Sequence, residues 1–327
     1  MSNTPVAVVG TGNIGRHHAR NYFTLPDADL RAIVDVDFAR AQRLASDYGC
    51  RAFSTVEEMI RREPEIRAAS VAVPTQLHFE VARTLLLAGK HVLVEKPLAA
   101  TLAEADALLD LASRTPTILA VGHVERFNPA VRQLKRHIAE GKLGDVLSVV
   151  ARRVGVFPPN DDANVLLDLA IHDIDVFRFL LDADKPTRMF CNAGKPLGSD
   201  HHDFADIFLQ FGHVSCLLQV NWLTPVKIRS LAVSGSEGYV ELDYVTQRID
   251  FYTAQRPGET GSYADVRKYS EQEPEVLAVE YEEPLACELS GFVRAARGEH
   301  GEIVSGYEAM KSLDVVHSLI QLADANA

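Results

Sequence analysis

The sequence predicts an α/β protein with an N-terminal Rossmann domain, built on a doubly wound parallel sheet, and a C-terminal α+β domain with a largely antiparallel open sheet. Between residues 6 and 122, short runs of β-branched residues alternate with segments of helical periodicity. Such alternation is typical of parallel strands joined by crossover helices. After residue 140 the strand-like segments follow one another directly, which indicates antiparallel pairing.

The N-terminal domain is predicted to span residues 1–123. Two residue pairs, Ser54 with Glu57 and Thr101 with Glu104, have the spacing of a capping box at a helix start. Both pairs stand between predicted strands, where a crossover helix is required. The predicted strands occupy residues 6–9, 30–35, 68–73, 91–95 and 117–121.

The C-terminal domain is predicted to span residues 124–327. Apolar residues alternate from Ala205 to Phe211 and again from Val214 to Trp222, which predicts two strands with one buried face. Because exposed sheet faces commonly pair, we expect this domain to form a homodimer or homotetramer. Helices are predicted at 128–140, 284–297 and 305–323, and an exposed loop at 257–274.

Composition excludes several classes of protein. The chain has 327 residues, 47% of them hydrophobic, with a formal net charge of −12 and a pI near 5.5. Because an acidic surface repels phosphate backbones, nucleic acid is not expected as a partner. No apolar segment approaches the ~18 residues of a membrane span and no hydrophobic leader is visible, so we expect a cytoplasmic protein without membrane contact.

Metal binding is not expected. The four cysteines lie far apart and form no CxxC pair, so neither a zinc site nor a disulfide framework is indicated. His17 and His18 are adjacent, and His201, His202 and Asp203 are consecutive. Neither group has a converging set of further ligands.

A glycine motif follows the first predicted strand and opens a helical segment. Its GxGxxG spacing permits a tight turn, close approach of the backbone to a pyrophosphate, and close packing of the helix. The helix N-terminus also offers free N–H groups to an anion. We therefore predict dinucleotide contacts at Gly10, Thr11, Gly12, Asn13, Ile14 and Gly15.

Asp35 ends the second predicted strand, where a carboxylate can accept hydrogen bonds from the adenosine ribose. Val36 follows at a position where an NADP enzyme often has arginine, so a 2′-phosphate would meet negative charge. NAD is therefore the expected cofactor. NADP is the alternative, because Arg40 is close enough in sequence to reach the phosphate.

Four motifs carry a family resemblance over nearly the whole chain. They are GTGNIGRHH at 10–18, VPTQLH at 73–78, VEKPLA at 94–99 and DLAIHDID at 168–175. With these motifs the sequence resembles the Gfo/Idh/MocA oxidoreductases. In the last motif Ala170 replaces the usual glycine, so the substrate loop is expected to differ from that of monosaccharide dehydrogenases.

Several roles are implied by the resemblance. In this family the segment corresponding to residues 74–78 passes over the cofactor, and the peptide before the residue corresponding to Pro97 is often cis. By this resemblance, a cis peptide before Pro97 would direct the Lys96 side chain into a cleft at a strand end. It implies cofactor contacts at Pro74, Thr75, His78, Glu95, Lys96 and Arg126.

Oxidation of an alcohol requires a base for the hydroxyl proton while the hydride leaves for the nicotinamide. Lys96 and His172 are the candidates, and which of them is the primary base stays open. On an α-helix Asp168, His172 and Asp175 share one face. Asp173 is turned away from that face. We expect Asp168 to hold the imidazole or to bind a substrate hydroxyl.

Three segments, at residues 122–131, 152–159 and 221–229, resemble the nucleotide-sugar branch of the family. That branch includes enzymes that oxidise the 3-hydroxyl of UDP-N-acetylglucosamine. A diphosphate requires cations, and a nucleobase requires an aromatic surface. The expected substrate-binding residues are Lys96, Asn128, Arg153, Phe157, Asp168, His172, Trp222, Lys227 and Arg229.

Other functions stay open. A UDP-N-acetylglucosaminuronate 3-dehydrogenase would require a further cation near the sugar, and an inositol or free-sugar dehydrogenase would leave the basic strand residues unused. A non-catalytic NAD-binding regulator on the same scaffold is another alternative. The presence of both Lys96 and His172 favours an enzyme.

Overall fold

The computed structural model describes residues 3–156, 164–198, 200–254 and 273–325. The chain folds as two units, each assembled from segments that are distant in sequence. The first comprises Met1–Phe127 and Glu282–Asp314, and the second comprises Asn128–Tyr281 and Val315–Ala327. Phe157 and residues 257–272 of the predicted loop lie outside the described residues.

The first unit contains a parallel sheet of six strands. They are β1 (Thr4–Val9), β2 (Ala28–Val34), β3 (Arg51–Phe53), β4 (Ala68–Val71), β5 (His91–Glu95) and β6 (Leu119–Gly122). Their spatial order is β3-β2-β1-β4-β5-β6, which confirms the doubly wound sheet. The edge strand β3 is absent from the sequence prediction because three residues are too few to show a period of two.

Five crossover helices belong to this unit, namely α1 (Asn13–Thr24), α2 (Phe38–Tyr48), α3 (Val56–Arg62), α4 (His78–Leu87) and α5 (Leu102–Ser113). Thr101 and Glu104 form the predicted capping box at the start of α5. The cap predicted for α3 is wrong by one residue, since the Thr55 hydroxyl accepts the N–H of Glu58. Ser54 and Thr55 both stand three residues before a glutamate, so the pattern cannot choose between them.

The second unit contains a sheet of eight strands. They are β7 (Val146–Val156), β8 (Arg188–Gly194), β9 (Phe204–Phe211), β10 (Val214–Asn221), β11 (Leu223–Gly235), β12 (Gly238–Asp243), β13 (Arg248–Thr253) and β14 (Glu275–Leu277). Their spatial order is β14-β13-β12-β11-β7-β10-β9-β8. Only β7 and β10 pair in parallel among the strands described, so the prediction of a largely antiparallel sheet is confirmed.

Helices α6 (Pro129–Ala139) and α7 (Ile171–Leu181) pack on each other, and α7 also contacts β7. The period of two along the strands decides which side chains meet these helices. Arg153 of β7 is buried, whereas its neighbour Arg152 is exposed on the opposite face. The predicted alternation is confirmed in β9 and β10, because Ala205, Ile207, Leu209, Phe211, Val214, Cys216, Leu218 and Val220 are all buried.

The opposite face of this sheet carries an exposed row of apolar side chains. In the strand register Phe190 is paired with Phe208, Phe208 with Leu217, and Leu217 with Val150. Phe190, Leu217 and Val150 are 59%, 47% and 39% exposed. We call these four residues the apolar row; contiguous exposed apolar surface of this kind marks interaction sites.

The segment after the second sheet returns to the first unit. It begins with α8 (Pro284–Ala296). The last helix, α9 (Gly306–Ala325), follows, and its residues up to Asp314 belong to the first unit. Leu289 and Phe292 of α8 share one buried core with Val6 and Tyr22. Among the described residues, no helix is both long enough and apolar enough to cross a membrane.

Candidate active site

The glycine loop between β1 and α1 leaves open space where a pyrophosphate would bind. Gly10 has a φ of +95°, and a Cβ there would clash with the carbonyl of Ala72. A Cβ on Gly15 would clash with the Gly10 carbonyl, so close packing requires both glycines. At Gly12, by contrast, a Cβ would have no atom within 4 Å. The first turn of α1 also has no side-chain cap, and its N–H groups can therefore face an anion.

Asp35 follows β2 and is held beside this loop. Its carboxylate accepts the Thr11 backbone N–H at 2.8 Å and the Asp37 N–H at 2.9 Å. Burial alone would raise the pKa of Asp35, but these hydrogen bonds, a third from the Thr11 hydroxyl and the charge of Arg40 hold it below its ordinary value. Asp35 is therefore a carboxylate at neutral pH, suited to accept ribose hydroxyls.

The residues that could meet a 2′-phosphate are arranged unfavourably for NADP. Val36 is 90% exposed and carries no charge. A guanidinium nitrogen of Arg40 lies 3.5 Å from a carboxylate oxygen of Asp37, so its charge is already partly matched. Two carboxylates, Asp35 and Asp37, lie in this segment and would repel a 2′-phosphate.

The segment from 73 to 78 is anchored by a buried histidine. The Nδ1 atom of His78 lies 2.7 Å from the carbonyl oxygen of Pro97, and Nε2 lies 2.9 Å from that of Val73. Burial lowers the pKa of His78, although both carbonyls favour the protonated ring. In its neutral form the ring can donate to one of these carbonyls, and in its protonated form to both. Pro74 and Thr75 lie between the anchors, with Pro74 exposed and Thr75 half-buried.

Glu95 and Lys96 come at the carboxyl end of β5. One carboxylate oxygen of Glu95, Oε1, lies 2.8 Å from Nε2 of the fully buried His18 in α1. The other, Oε2, accepts the backbone N–H of Lys96 at 3.2 Å. The peptide between Lys96 and Pro97 is cis, as the family resemblance implies.

The electrostatic environment of Glu95 favours the carboxylate. Burial would raise its pKa, but the hydrogen bond and charge of His18, with the charges of Lys96 and His78, lower it. Gly122 on β6 leaves room for this carboxylate, because a Cβ there would lie 2.8 Å from Oε1. The sequence prediction missed His18 in this role. The signal for it is that Gly15, His18, Ala19 and Tyr22 form the buried stripe of α1.

In the second unit, Asp168 lies in a π-helical turn, Leu166–Ala170, that leads directly into α7. The side-chain oxygen of Asn164 accepts the N–H of Leu166 at 2.9 Å and so holds the start of this turn. Asp168 and His172 are both half-buried. A π-helical turn within a helix often accompanies a functional site.

The neighbouring aspartates of α7 are buried. Asp175 is 1% exposed, with an Arg178 nitrogen 3.8 Å from its carboxylate. Asp173 is fully buried and paired with Arg153 of β7. Its side of α7 therefore packs on the sheet, which helical periodicity alone does not reveal because nearly every residue of this helix is buried.

The remaining predicted substrate residues have different surroundings. Asn128 is buried; its side chain caps α6 by accepting the Ala130 N–H and donates to the Tyr244 carbonyl at 3.0 Å. Arg153 is buried in the ion pair with Asp173, so its charge is matched within the unit. Trp222 is also buried.

Two predicted cations lie near the end of β7. Lys227 is exposed, in a stretch where the pairing of β11 with β7 is interrupted. Arg229 donates to the carbonyls of Val154 and Ile228 at 2.6 and 2.8 Å. In the first unit, an Arg126 nitrogen lies 3.9 Å from a carboxylate oxygen of Glu308. Among the described residues, no group of three or more His, Cys, Asp or Glu side chains is arranged to hold a metal ion.

Two protein-domain families match the chain. Residues 4–123 match an oxidoreductase family with an NAD-binding Rossmann fold, and residues 131–241 match the GFO/IDH/MocA C-terminal domain. The first match agrees with the open space at Gly12 and the uncapped start of α1. The chain therefore contains an NAD-binding Rossmann domain.

The chain is also similar to characterised dehydrogenases. UDP-N-acetylglucosamine 3-dehydrogenase of Acidithiobacillus ferrooxidans is 28% identical over 297 residues, which cover 90% of this chain and 89% of that protein. A solved structure of that enzyme has a TM-score of 0.85 at 25% identity and covers 99% of both chains. Myo-inositol 2-dehydrogenase of Thermotoga maritima is 28% identical over 333 residues, covering 96% and 97%.

Proposed function

We propose that this chain, which belongs to the Gfo/Idh/MocA family of oxidoreductases, oxidises the 3-hydroxyl of UDP-N-acetylglucosamine to the 3-keto sugar with NAD. Oxidation of a sugar or polyol hydroxyl is the activity that the family supports. The finer assignment depends on one observation: a solved structure of the Acidithiobacillus enzyme matches this chain with a TM-score of 0.85 over 99% of both chains.

Lys96 and His172 are assigned to proton transfer. The hydroxyl proton passes to one of these side chains as the bond from C3 to hydrogen breaks and the carbonyl forms. Bound NAD supplies the acceptor for the hydride. Asp168 supports His172, either by holding the ring or by binding a neighbouring hydroxyl. The kinetics of single variants at Lys96 and His172 would identify which of the two is the primary base.

The diphosphate is assigned to the basic residues near the end of β7. Lys227 is exposed and carries a charge that can meet a phosphate. Arg229 lies in the same strand, two residues further, and its guanidinium already binds two carbonyls. Arg153 is a weaker candidate for direct contact, because its guanidinium is buried against Asp173.

An inositol dehydrogenase is the second candidate function. It is favoured by the Thermotoga relative, whose identity to this chain is the same and whose coverage is greater. Inositol carries no phosphate, so an inositol enzyme would not depend on Lys227. This difference separates the two candidates.

The test combines the purified protein with NAD and a panel of substrates, and follows the absorbance of the reduced nicotinamide. UDP-N-acetylglucosamine, its uronate, myo-inositol and free glucose form the panel. We expect turnover of UDP-N-acetylglucosamine, and transfer of deuterium from a C3-deuterated sample to the cofactor. Activity on inositol alone would contradict the nucleotide-sugar assignment, and NAD binding without turnover of any member would favour a regulator.

We also propose that the chain forms a homo-oligomer through the apolar row. A twofold axis would place the row of one copy against that of another and remove its exposed aromatic and aliphatic side chains from water. Light scattering of the purified chain is expected to give a homodimer or homotetramer. Phe190→Asp with Leu217→Asp should shift it to the monomer, and a wild-type monomer would contradict the proposal.

A further inference from the structure

A buried carboxylate in the second unit receives donors from two other elements. The Nε atom of Arg153, on β7, lies 2.5 Å from Oδ2 of Asp173 on α7, and an Nη atom lies 3.3 Å from Oδ1. The Tyr244 hydroxyl donates to Oδ1 at 3.0 Å. The Arg153 and Asp173 side chains are 5% and 0% exposed.

Tyr244 is itself fixed on three sides. The guanidinium carbon of Arg153 lies 5.0 Å from the centre of its ring, a cation–π distance. Its carbonyl accepts the side-chain amide of Asn128, the residue that caps α6. Its own N–H donates to the carbonyl of Arg229 at 3.0 Å. The trio of Arg153, Asp173 and Tyr244 thus ties α7 to β7 and to the chain that follows β12.

Stability alone does not account for such an arrangement. A buried ion pair recovers its desolvation cost only with good geometry and additional hydrogen bonds, and apolar residues of similar volume often stabilise a fold as well. The trio also fixes the orientation of α7. The planar guanidinium of Arg153 and the Tyr244 hydroxyl form directional hydrogen bonds, and these define the rotation of the helix about its axis and its position along that axis.

We propose that Arg153, Asp173 and Tyr244 are positioning residues for His172, which immediately precedes Asp173 on α7. They hold the helix, and thereby the imidazole, in one orientation, and none of them contacts the substrate. The inference rests on the proposed proton-transfer role of His172. It reassigns Arg153 from the substrate to the protein's own framework.

The first test removes one hydrogen bond and keeps the aromatic ring. Tyr244→Phe is expected to lower kcat by about tenfold, with little change in KM for the sugar or in NAD affinity, because a misdirected group slows the chemical step. The deuterium isotope effect on kcat with the C3-deuterated substrate should increase at the same time. Tyr281→Phe, which alters a 70% exposed tyrosine of the same unit, is the matched control and should change neither.

A second pair of variants separates position from stability. Arg153→Lys keeps the charge but not the fork, and should lower kcat as Tyr244→Phe does. The double variant Arg153→Met, Asp173→Leu leaves no unpaired charge where the trio lay and should unfold near the wild-type temperature, yet keep kcat at least about tenfold low. A double variant with wild-type kcat would overturn the proposal.

A readout independent of turnover distinguishes failure of this inference from failure of the proposed function. In protein carrying labelled histidine, the His172 ring signal is identified by its loss in His172→Gln. It should shift in Tyr244→Phe and Arg153→Lys and stay in place in Tyr281→Phe. An unchanged signal would overturn the positioning role. Shifted signals in a protein that turns over no substrate would support that role and contradict the dehydrogenase assignment.

Discussion

The Nε2 atom of His18 lies 2.8 Å from the Oε1 atom of Glu95, and the second oxygen of that carboxylate accepts the N–H of Lys96. One buried pair therefore connects the helix that begins at the glycine loop with the lysine assigned to proton transfer. Both residues belong to the first unit. The contribution of the pair to the free energy of unfolding can be measured separately from its effect on activity.

His18→Leu is expected to destabilise the protein by about 3 kcal/mol at pH 7, because it leaves a buried carboxylate without its strongest partner. Urea unfolding measures the change. His17→Leu, at the exposed neighbouring position, is the control and should have little effect. The double variant His18→Leu, Glu95→Met should recover much of the loss, and equal loss in single and double variants would contradict the explanation.

The same pair predicts a pH dependence. Folding lowers the pKa of Glu95, so its contribution to stability is present above the unfolded value of 4.5 and is lost as the pH falls through the folded value. Removal of His18 takes away the largest influences that lower the pKa of Glu95, so its pKa should rise in the variant. The difference in unfolding free energy between wild type and His18→Leu should therefore shrink as the pH is lowered from 7 towards 4. A constant difference across this range would count against the assignment.

Gly12→Val should abolish tight NAD binding and leave folding intact. The new side chain would enter the open space at the start of α1, where no protein atom lies within 4 Å of its Cβ. We expect NAD affinity to fall at least about 100-fold through loss of the pyrophosphate contacts. Calorimetric titration and thermal unfolding measure the two effects. Gly15→Ala is the contrasting variant and should destabilise the fold, since its Cβ clashes with the Gly10 carbonyl.

Asp35→Ser combined with Val36→Arg should move cofactor preference towards NADP. The change removes a carboxylate that repels the 2′-phosphate and adds a guanidinium that binds it. We expect the ratio of kcat/KM for NADP to that for NAD to rise by about 100-fold. Val36→Leu, which adds no charge, is the control and should leave the ratio unchanged. An unaltered ratio in the double variant would show that the ribose end lies elsewhere.

Lys96→Ala and His172→Gln should each lower kcat by about 10²- to 10⁴-fold, the usual contribution of a proton-transfer group, with a much smaller effect on NAD affinity. The variant with the larger loss, and with the corresponding limb of the pH profile removed, identifies the primary base. His213→Gln, at an exposed turn position, is the control for the second. Retained turnover in both variants would exclude them as the proton-transfer pair.

Local patterns allowed both sheet types and the glycine turn after β1 to be predicted. The spacing of Gly10, Gly12 and Gly15 is enough to predict a tight turn before a helix. The alternation of apolar residues in β9 and β10 is enough to predict that one face of each strand is buried. The same information fails where two nearby patterns compete, as at Ser54 and Thr55. It also fails for β3, which is too short to have a period.

Contacts between residues far apart in sequence could not be predicted. The pairing of His18 with Glu95 joins residues 77 positions apart, and that of Arg153 with Asp173 depends on which side of α7 meets β7. A charged residue in the sequence gives no indication that it will be buried. The π-helical turn before α7 has no sequence signature either, so the orientation of Asp168 relative to His172 could not be derived from α-helical periodicity.

The placement of residues 282–314 within the first unit has a consequence for biosynthesis. Leu289 and Phe292 complete a core begun by Val6 and Tyr22, so a nascent chain cannot finish the NAD-binding unit until residues 282–314 have been synthesised. The polypeptide 1–127 would expose that unfinished core to water. The nucleotide-binding unit is thus not a detachable module, because residues 1–127 alone lack part of its core.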